Sequence, residues 1–291
     1  MVKLALPTGS LESKTLALFA AADWPVHKEA RQQSGVVDDP IFSEIGFFHP
    51  RQIPQLVAEG FCDVGICGKD CVVEANLESV VVEIARLPYA KTTLGETQIV
   101  LFVAATDTME IQEIPPGTSI VTEFPNCTRK FFSARGIEMQ LVESRGSTEG
   151  LAPKFFRLGV CVSETGLSLE ANGLRVIAEI LSSSTVLIAN ATAVGDESKG
   201  KNIREIGDIL RGTLEAQQNV ELKMNVSGEH LSMVLDGLPA LKAPTVSPLA
   251  DGGSFAVSTV VPRNGINQLI RRLRGLGAED IIQSRIEKLI R

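Results

Sequence analysis

The sequence contains no hydrophobic run long enough to cross a membrane. An apolar stretch of about 18 residues would be needed for a transmembrane helix, and none occurs. The N-terminal segment Met1–Gly9 has the pattern of a strand and a turn, and it lacks the features of a secretory signal peptide. We therefore expect a cytoplasmic protein that does not interact with membranes.

Cysteine and histidine are scarce and form none of the common catalytic or metal-binding patterns. The five cysteines include no C-x-x-C pair, and an odd number does not suggest a disulfide framework. We expect them to be small buried side chains in a reducing compartment. The three histidines are far apart, and no G-x-S-x-G or H-E-x-x-H motif indicates a hydrolase or a zinc peptidase.

Positive charge is in deficit as well. The 28 lysines and arginines face 35 acidic residues, which gives a formal net charge of −7 and argues against nucleic acid as a partner. The apolar fraction of 44% and the charged fraction of 22% are those of a globular protein. A chain of 291 residues is long enough for about two or three domains.

Short apolar runs alternate with amphipathic helical stretches along most of the chain. This rhythm predicts an α/β fold with mostly parallel sheets. The pattern restarts near Leu94, which predicts a second α/β unit. Two apolar runs, Val176–Leu181 and Thr185–Ala189, are separated by three serines, and the polar stretch Asp196–Asn202 is the best candidate for a linker.

From about residue 219 onward the sequence reads as an independent small domain. Four strand-like runs and two helical stretches follow one another in the order β-α-β-β-α-β, which is typical of a ferredoxin-like fold. The strands are predicted over Val220–Val226, Thr245–Leu249, Phe255–Val261 and Asp280–Ser284.

The segment Ser163–Leu169 follows a predicted strand and precedes a short helix. Gly166 permits a positive φ, and Thr165 and Ser168 supply hydroxyl groups, so the segment has the composition of a phosphate-binding turn. The same pattern also suits a plain helix cap, and this alternative stays open.

Two other segments are candidates for a binding cleft. The turn Leu6–Leu11 follows the first predicted strand, and it either holds an anionic group or caps the next helix. In Gly60–Asp70, Gly65 and Gly68 permit close backbone approach at the end of a strand. Asp70 is positioned to face a cleft at the carboxyl edge of the sheet. A tight turn into a helix capped by Asp70 is the alternative.

These segments together resemble the ATP phosphoribosyltransferase family, which catalyses the first step of histidine biosynthesis. The resemblance rests on Leu-Pro-x-Gly near the start, GFCDVGICGKD at 60–70, TEFPNCTRKFF at 122–132, GSTE at 146–149 and ETGLSLEANGL at 164–174. LPALKAPTVSPLAD at 238–251 and GAEDI at 277–281 are similar to the regulatory domain of the long form. The match covers essentially the whole chain in the right order.

The resemblance implies two periplasmic-binding-protein-like α/β domains that form a cleft, followed by the ferredoxin-like regulatory domain. Domain I would comprise residues 1–93 and 182–210, domain II residues 94–181, and the regulatory domain residues 219–291. In the implied reaction, N1 of ATP attacks C1 of phosphoribosyl pyrophosphate and releases pyrophosphate with the help of Mg²⁺. Long-form members assemble as hexamers, so we expect a homo-oligomer (hexamer or dimer) inhibited by histidine.

The resemblance also implies the residues of the substrate site, but it assigns no catalytic residue and no metal ligand. The phosphate loop would bind the 5-phosphate of the donor, and the other residues would line the cleft. The expected substrate-binding residues are Thr8, Gly9, Ser10, Asp70, Glu149, Arg157, Cys161, Glu164, Thr165, Gly166, Leu167, Ser168 and Leu169.

Several of these positions differ from the family pattern. Thr8 and Ser10 stand where the family has Lys and Arg, and Arg157 and Cys161 stand where it has two aspartates. The missing positive charge would come from one of four residues: Arg51, Arg129, Lys130 or Arg157. Two alternatives stay open, a divergent paralogue with another substrate or reaction in the same cleft, and a non-catalytic binding or regulatory protein. In the paralogue, Cys161 is a candidate nucleophile, although a buried small side chain is the simpler interpretation.

In the C-terminal domain, Leu241 and Thr245 match family positions that line the histidine pocket, and Val261 is assigned to the same pocket. Plain core packing in a strand is the alternative for Leu241 and Val261.

Overall fold

The computed structural model describes residues 1–28, 32–90, 95–146, 148–164, 166–239 and 243–291. Its backbone contacts divide it into two compact units, Met1–Gly207 and Asp208–Arg291. The first unit contains a six-stranded and a five-stranded sheet, and the second contains a four-stranded sheet. The predicted α/β class is therefore confirmed, but the prediction of mostly parallel sheets was wrong, because the sheets of the first unit are mixed and that of the second is antiparallel. None of the helices in the ranges above is both long and apolar enough to span a membrane.

The strands of the first unit are short and alternate with helices. In chain order its elements are β1 (Val2–Pro7), α1 (Glu12–Ala21), β2 (Ser34–Gly35), β3 (Phe42–Phe48), α2 (Ile53–Ala58), β4 (Val64–Gly68), α3 (Lys69–Glu74), β5 (Val81–Leu87), β6 (Thr97–Ala104), β7 (Ser119–Thr122), α4 (Pro125–Ser133), β8 (Gln140–Glu143), α5 (Thr148–Phe155), β9 (Leu158–Ser163), α6 (Leu167–Ala171), β10 (Leu174–Ser183), β11 (Thr185–Asn190), α7 (Ala191–Gly195) and the start of α8 (Glu197–Gln218).

The six-stranded sheet has the order β2-β3-β1-β4-β11-β5. β1 is parallel to β3 and β4, whereas β11 is antiparallel to both of its neighbours, β4 and β5. The carboxyl ends of β1, β3, β4 and β5 therefore lie at the same edge as the beginning of β11. The sheet is apolar on both faces of its central strands, and Leu4, Ile66 and Val186 are completely buried.

The five-stranded sheet has the order β10-β6-β9-β7-β8. β7, β8 and β9 are parallel, and β6 is antiparallel to β9 and β10. The chain enters this sheet through β6 and leaves it through β10, after which β11 returns to the centre of the first sheet. Ser182, Ser183 and Ser184 occupy this return, at the end of β10 and immediately before β11.

The polar stretch Asp196–Asn202 is helical from Glu197 onward, so the prediction of a linker there was wrong. Asp196 Oδ1 accepts a hydrogen bond from the backbone N of Lys199 at 2.8 Å, which satisfies a free N–H in the first turn of α8. Ile203, Ile206 and Leu210 then form a fully buried stripe along the helix. The polar composition that suggested a linker belongs to the exposed beginning of this amphipathic helix.

The second unit has the predicted β-α-β-β-α-β order. Its elements are β12 (Asn219–Ser227), α9 (Leu231–Asp236), β13 (Thr245–Pro248), β14 (Ser254–Pro262), α10 (Ile266–Gly275) and β15 (Ala278–Arg285). The sheet order is β13-β14-β12-β15, and all its pairs are antiparallel. Leu222, Met224 and Val257 pack in its core with residues of both helices, Val234 and Leu273.

Close packing around Gly159 leads to a test of the five-stranded sheet. Gly159 lies in β9 opposite Phe102, and a Cβ atom there would overlap the Phe102 ring and approach the Ala152 Cβ to 2.8 Å. We expect Gly159→Ala to lower the free energy of unfolding by roughly 1–3 kcal/mol, because inserting a methyl group into a full core forces neighbours apart. Urea denaturation followed by circular dichroism measures the change.

The matched control is Gly150→Ala in the adjacent helix α5, where an added Cβ meets no atom within 4 Å. Because alanine favours a helix over glycine by about 1 kcal/mol, this variant should unfold at the same or a higher urea concentration than the original protein. Equal denaturation midpoints for the two variants would contradict the packing described for β9.

Candidate functional site

A cavity of about 270 Å³ lies in the first unit, at the edge where the strands of both sheets end. On one side it is lined by residues at or after the carboxyl ends of β1, β3, β4 and β5. On the other side it is lined by residues at or after the ends of β7 and β9. Strand direction explains this arrangement, because the loops at the carboxyl ends of parallel strands meet at one edge, where α/β proteins bind ligands.

The turn after β1 brings Thr8, Gly9 and Ser10 to the lining of this cavity. Both the backbone N and Oγ1 of Thr8 donate to the carbonyl oxygen of Phe48, at 2.8 and 3.2 Å. Gly9 has a φ of +75°, a conformation that glycine adopts without strain. The turn thus presents neutral hydrogen-bonding groups to the cavity.

Asp70 also lines the cavity, and its carboxylate is held in place by Ser183. The Ser183 hydroxyl donates to Asp70 Oδ1 at 2.6 Å and accepts from the backbone N of Asp70 at 3.0 Å. Gly68 leaves room for this arrangement, because a Cβ atom at that position would overlap the Asp70 carboxylate. A carboxylate oriented in this way can accept hydrogen bonds from the hydroxyl or amino groups of a ligand.

Arg51 is the residue among the four candidate cations that lines the cavity. It follows β3, and its Nη2 donates to the carbonyl oxygen of Glu123 at 2.9 Å. Its guanidinium group also lies 5.0 Å from the centre of the Phe124 ring. Arg51 therefore reaches from the edge of the first sheet to the turn after β7, and it supplies positive charge to the cavity wall.

Arg157 lies at the amino end of β9, whereas the loop Glu164–Leu169 follows the carboxyl end of the same strand. Its Nε and Nη2 donate to the two carboxylate oxygens of Asp107 at 2.6 and 2.9 Å. This pairing holds the pKa of Asp107 well below its usual range. Arg129 donates to Asn126 and Lys130 pairs with Glu78, and like Arg157 they lie outside the cavity lining.

The loop Glu164–Leu169 contributes Glu164 to the cavity. Gly166 has a φ of +75°, and its backbone N donates to Ser163 Oγ at 3.1 Å. Leu167 is exposed and Leu169 is buried, so the two side chains point in different directions. Thr165 lies outside the described residues.

Glu149 lies in helix α5 and contacts the loop Glu164–Leu169. Its Oε2 accepts from the Ser168 hydroxyl at 3.0 Å, and its Oε1 lies 3.9 Å from the Cys161 thiol. These three predicted site residues are thus brought together beside the loop, although they do not line the cavity itself. Burial, reinforced by the carboxylates of Glu149 and Glu123, raises the pKa of the Cys161 thiol to about 12.

Ser183 and Ser184 are polar residues of the cavity wall that sequence reasoning missed. Ser184 is only 4% exposed, and its Oγ is buried without a hydrogen-bond partner in the part of the chain that the structure describes. The signal that could have identified it is the run Ser182–Ser184 between two apolar strands, which the sequence analysis treated only as a break.

The second unit has a cavity of about 290 Å³ on one face of its sheet. Thr245 lines it together with Ser258, its partner across the β13–β14 pair. Val261 is completely buried in the core of the unit, and its odd spacing from Ser258 puts it on the opposite face of β14. Leu241 lies outside the described residues.

Comparisons with known proteins agree with the resemblance seen in the sequence. The pattern of the family described as ATP phosphoribosyltransferase matches residues 49–212, and that described as HisG, C-terminal domain, matches residues 216–288. An ATP phosphoribosyltransferase of Nitratidesulfovibrio vulgaris (strain Miyazaki F) is 38% identical over 295 residues, which cover 100% of this chain and 98% of that protein. One of Desulforudis audaxviator is 38% identical over 290 residues, which cover 99% of each.

A solved structure is similar in fold. A chain of the ATP phosphoribosyl transferase (HisG:HisZ) complex from Thermotoga maritima aligns with a TM-score of 0.60 and 24% identity. The alignment covers 74% of this chain and 99% of that chain.

The raised pKa of Cys161 predicts that its thiol is unreactive in the folded protein. With a pKa of about 12, the thiolate fraction at pH 8 is on the order of 10⁻⁴, and burial restricts access further. We expect iodoacetamide at pH 8 to leave Cys161 unmodified in the folded protein and to modify it fully in urea. Mass spectrometry of tryptic peptides measures both, and rapid modification of the folded protein would support the nucleophile alternative.

Proposed function

Because this chain belongs to the ATP phosphoribosyltransferase family, we propose that the cavity in its first unit is the place where ATP and phosphoribosyl pyrophosphate react. The protein is a transferase of the first step of histidine biosynthesis. In this step N1 of ATP forms a bond to the ribose C1 as the bond from C1 to pyrophosphate breaks. The observation that carries the assignment of the site is that Thr8, Gly9, Ser10, Asp70 and Glu164 line one cavity.

The donor's 5-phosphate is assigned to the loop Glu164–Leu169. The family resemblance of this loop supports the assignment, as does the left-handed Gly166, which turns the backbone without crowding from a side chain. Glu149 would act indirectly, because its carboxylate accepts a hydrogen bond from the Ser168 hydroxyl. This bond joins the loop to α5. Residues 94–181 would then form the donor-binding domain, and residues 1–93 with 182–210 the opposite domain.

Arg51 is assigned to the pyrophosphate of the donor. Departure of pyrophosphate adds negative charge to oxygen atoms, and a cation at that position stabilises the transition state more than the ground state. The hydroxyl of Ser10 would donate a hydrogen bond to the same group, whereas the Thr8 hydroxyl already donates to the Phe48 carbonyl. A single arginine supported by a hydroxyl group would thus stand where other members of the family have two cations.

Members of the family use magnesium, and the cavity is compatible with it. Mg²⁺ is usually bound by one or two carboxylates together with substrate phosphates, and Asp70 and Glu164 are the carboxylates of the cavity lining. The described residues contain no group of three or more His, Cys, Asp or Glu placed to hold a metal ion. Magnesium bound with the donor would neutralise the charge of the departing pyrophosphate.

The regulatory proposal concerns the cavity around Thr245. Its hydroxyl group and that of Ser258 can hydrogen-bond with the polar groups of an amino acid such as histidine. Assembly as a hexamer or dimer and a cytoplasmic location are proposed as well, on the resemblance to the long form and on the biosynthetic activity.

Removing the charge of Arg51 tests the proposed site. We expect Arg51→Gln to lower kcat/KM for phosphoribosyl pyrophosphate by about 10- to 100-fold, because a charge-assisted hydrogen bond contributes roughly 1.5–3 kcal/mol. Pyrophosphate release in the presence of magnesium and ATP measures the rate. Arg129→Gln is the matched control, because it removes the same charge from the same unit outside the cavity and should leave the rate unchanged.

Equal rates for the two variants would remove Arg51 from the proposed site. If the original protein releases no pyrophosphate with ATP but is stabilised by the donor, the divergent paralogue becomes the better interpretation. If the original protein shows no turnover and does not bind the donor, the result favours the non-catalytic alternative.

Histidine should stabilise the protein if the regulatory proposal holds. A ligand that binds only the folded state stabilises it by RT ln(1 + [L]/Kd), so millimolar histidine should raise the Tm measurably. We expect Thr245→Val to reduce this increase while it leaves the Tm without histidine within about 2 °C, since Thr245 is exposed and such substitutions change stability little. No Tm increase in the original protein would contradict a histidine site.

A further inference from the structure

The three serines at the end of β10 and immediately before β11 differ in how their hydroxyl groups are used. Ser182 Oγ donates to Glu96 Oε2 at 2.5 Å, and Ser183 Oγ donates to Asp70 Oδ1 at 2.6 Å. The hydroxyl of Ser184 is buried and has no partner in the described part of the chain. Two hydroxyls of the run therefore hold carboxylates in place, and the third is left for another partner.

An unpaired buried hydroxyl is unfavourable in the free protein. Nearly all buried polar groups in folded proteins have a hydrogen-bond partner, because removal from water without replacement lowers stability. Ser184 also lines the cavity assigned to the substrates, so a bound ligand can supply the partner. The hydroxyl hydrogen rotates about the Cβ–Oγ bond, and Ser184 can therefore either donate or accept.

The surroundings of Ser184 indicate the chemistry of that ligand. The backbone N of Lys69 donates to the Ser184 carbonyl at 2.9 Å, so Ser184 lies beside the start of α3, next to the carboxylate of Asp70. The Lys69 side chain is paired with Glu83. The Asp70 carboxylate can accept hydrogen bonds from amino or hydroxyl groups, and the Ser184 hydroxyl can donate to a ring nitrogen, so a ligand group that carries both kinds of atom fits this wall.

Ser184 precedes β11, a strand of the first sheet, whereas the loop assigned to the donor's 5-phosphate follows β9 of the second sheet. The donor's 5-phosphate is thus assigned to the loop and its pyrophosphate to Arg51 and the turn after β1, which leaves the wall formed by Asp70 and Ser184 for the acceptor. The purine base of ATP has an amino group that can donate a hydrogen bond to Asp70. It also has ring nitrogens that can accept one from a serine hydroxyl.

We propose that Ser184 is a substrate-binding residue whose hydroxyl hydrogen-bonds with the purine base of the acceptor nucleotide. This inference rests on the proposed function, because it uses the assignment of the donor to the loop Glu164–Leu169. Ser183 is then a positioning residue that acts on the same base through Asp70.

The variant Ser184→Ala tests the inference through two measurements, the KM values of the two substrates and the Tm of the ligand-free protein. We expect the KM for ATP to rise about 3- to 10-fold, the effect of losing one neutral hydrogen bond, while the KM for phosphoribosyl pyrophosphate stays within about twofold. The Tm of the ligand-free variant should equal or exceed that of the original protein, because the substitution removes an unpaired buried hydroxyl. A merely structural serine would show a lower Tm.

Ser182→Ala is the matched control, because it removes a hydroxyl from the same run that is paired with Glu96 and lies outside the cavity lining. It should change neither KM. A rise in the KM for phosphoribosyl pyrophosphate in Ser184→Ala would overturn the assignment to the base, and unchanged KM values or a lower ligand-free Tm would overturn the proposal entirely.

Failure of the proposed function would be recognised separately. If the original protein releases no pyrophosphate from ATP and phosphoribosyl pyrophosphate, the dissociation constant of ATP is measured by calorimetry for the original protein and for Ser184→Ala. Weaker ATP binding by the variant supports the inference without turnover. Equal binding, or no binding of ATP to the original protein, overturns it.

Discussion

The insertion of β11 between β4 and β5 is the constraint on which the site depends. Thr185, its first residue, pairs with Gly68 on one side and with Leu87 on the other. Because β11 is antiparallel to both neighbours, it begins at the edge where they end. The serines that precede it are therefore delivered to the carboxyl ends of β4 and β5, where Ser183 orients Asp70 and Ser184 reaches the cavity wall. A strand of the opposite direction would leave these hydroxyls at the far edge of the sheet.

Charge is the second feature that distinguishes this site. The turn after β1 carries hydroxyl groups, and Arg51 from the turn after β3 supplies positive charge to the cavity lining that the structure describes. Contact with the Glu123 carbonyl and the Phe124 ring limits the freedom of the Arg51 guanidinium before any ligand binds. Less side-chain entropy is then lost when an anion is bound. One oriented cation therefore contributes more binding free energy than a mobile one.

Local patterns predicted much of the fold. Strand β12 extends the predicted run Val220–Val226 by one residue at each end, because alternating apolar and polar residues mark a half-buried strand there. Strand β3 was not predicted, since Ser43, Glu44 and Gly46 interrupt its apolar pattern and it lies between β1 and the short β2. The start of α8 was misread as a linker because its first turn is polar, and only the buried stripe that begins at Ile203 reveals the helix.

The sequence by itself determined the α/β class, the family, and the segments that meet at the cavity, because apolar periodicity and short motifs are local properties. Only the tertiary structure decided that Arg51 lines the cavity while Arg157 pairs with Asp107, and that Val261 packs in the core. It also decided that the Ser183 hydroxyl donates to the Asp70 carboxylate, 113 positions away in the chain, while the Ser184 hydroxyl is left unpaired among the described residues. Such contacts depend on strand order and direction, which join distant residues and leave no local pattern in the sequence.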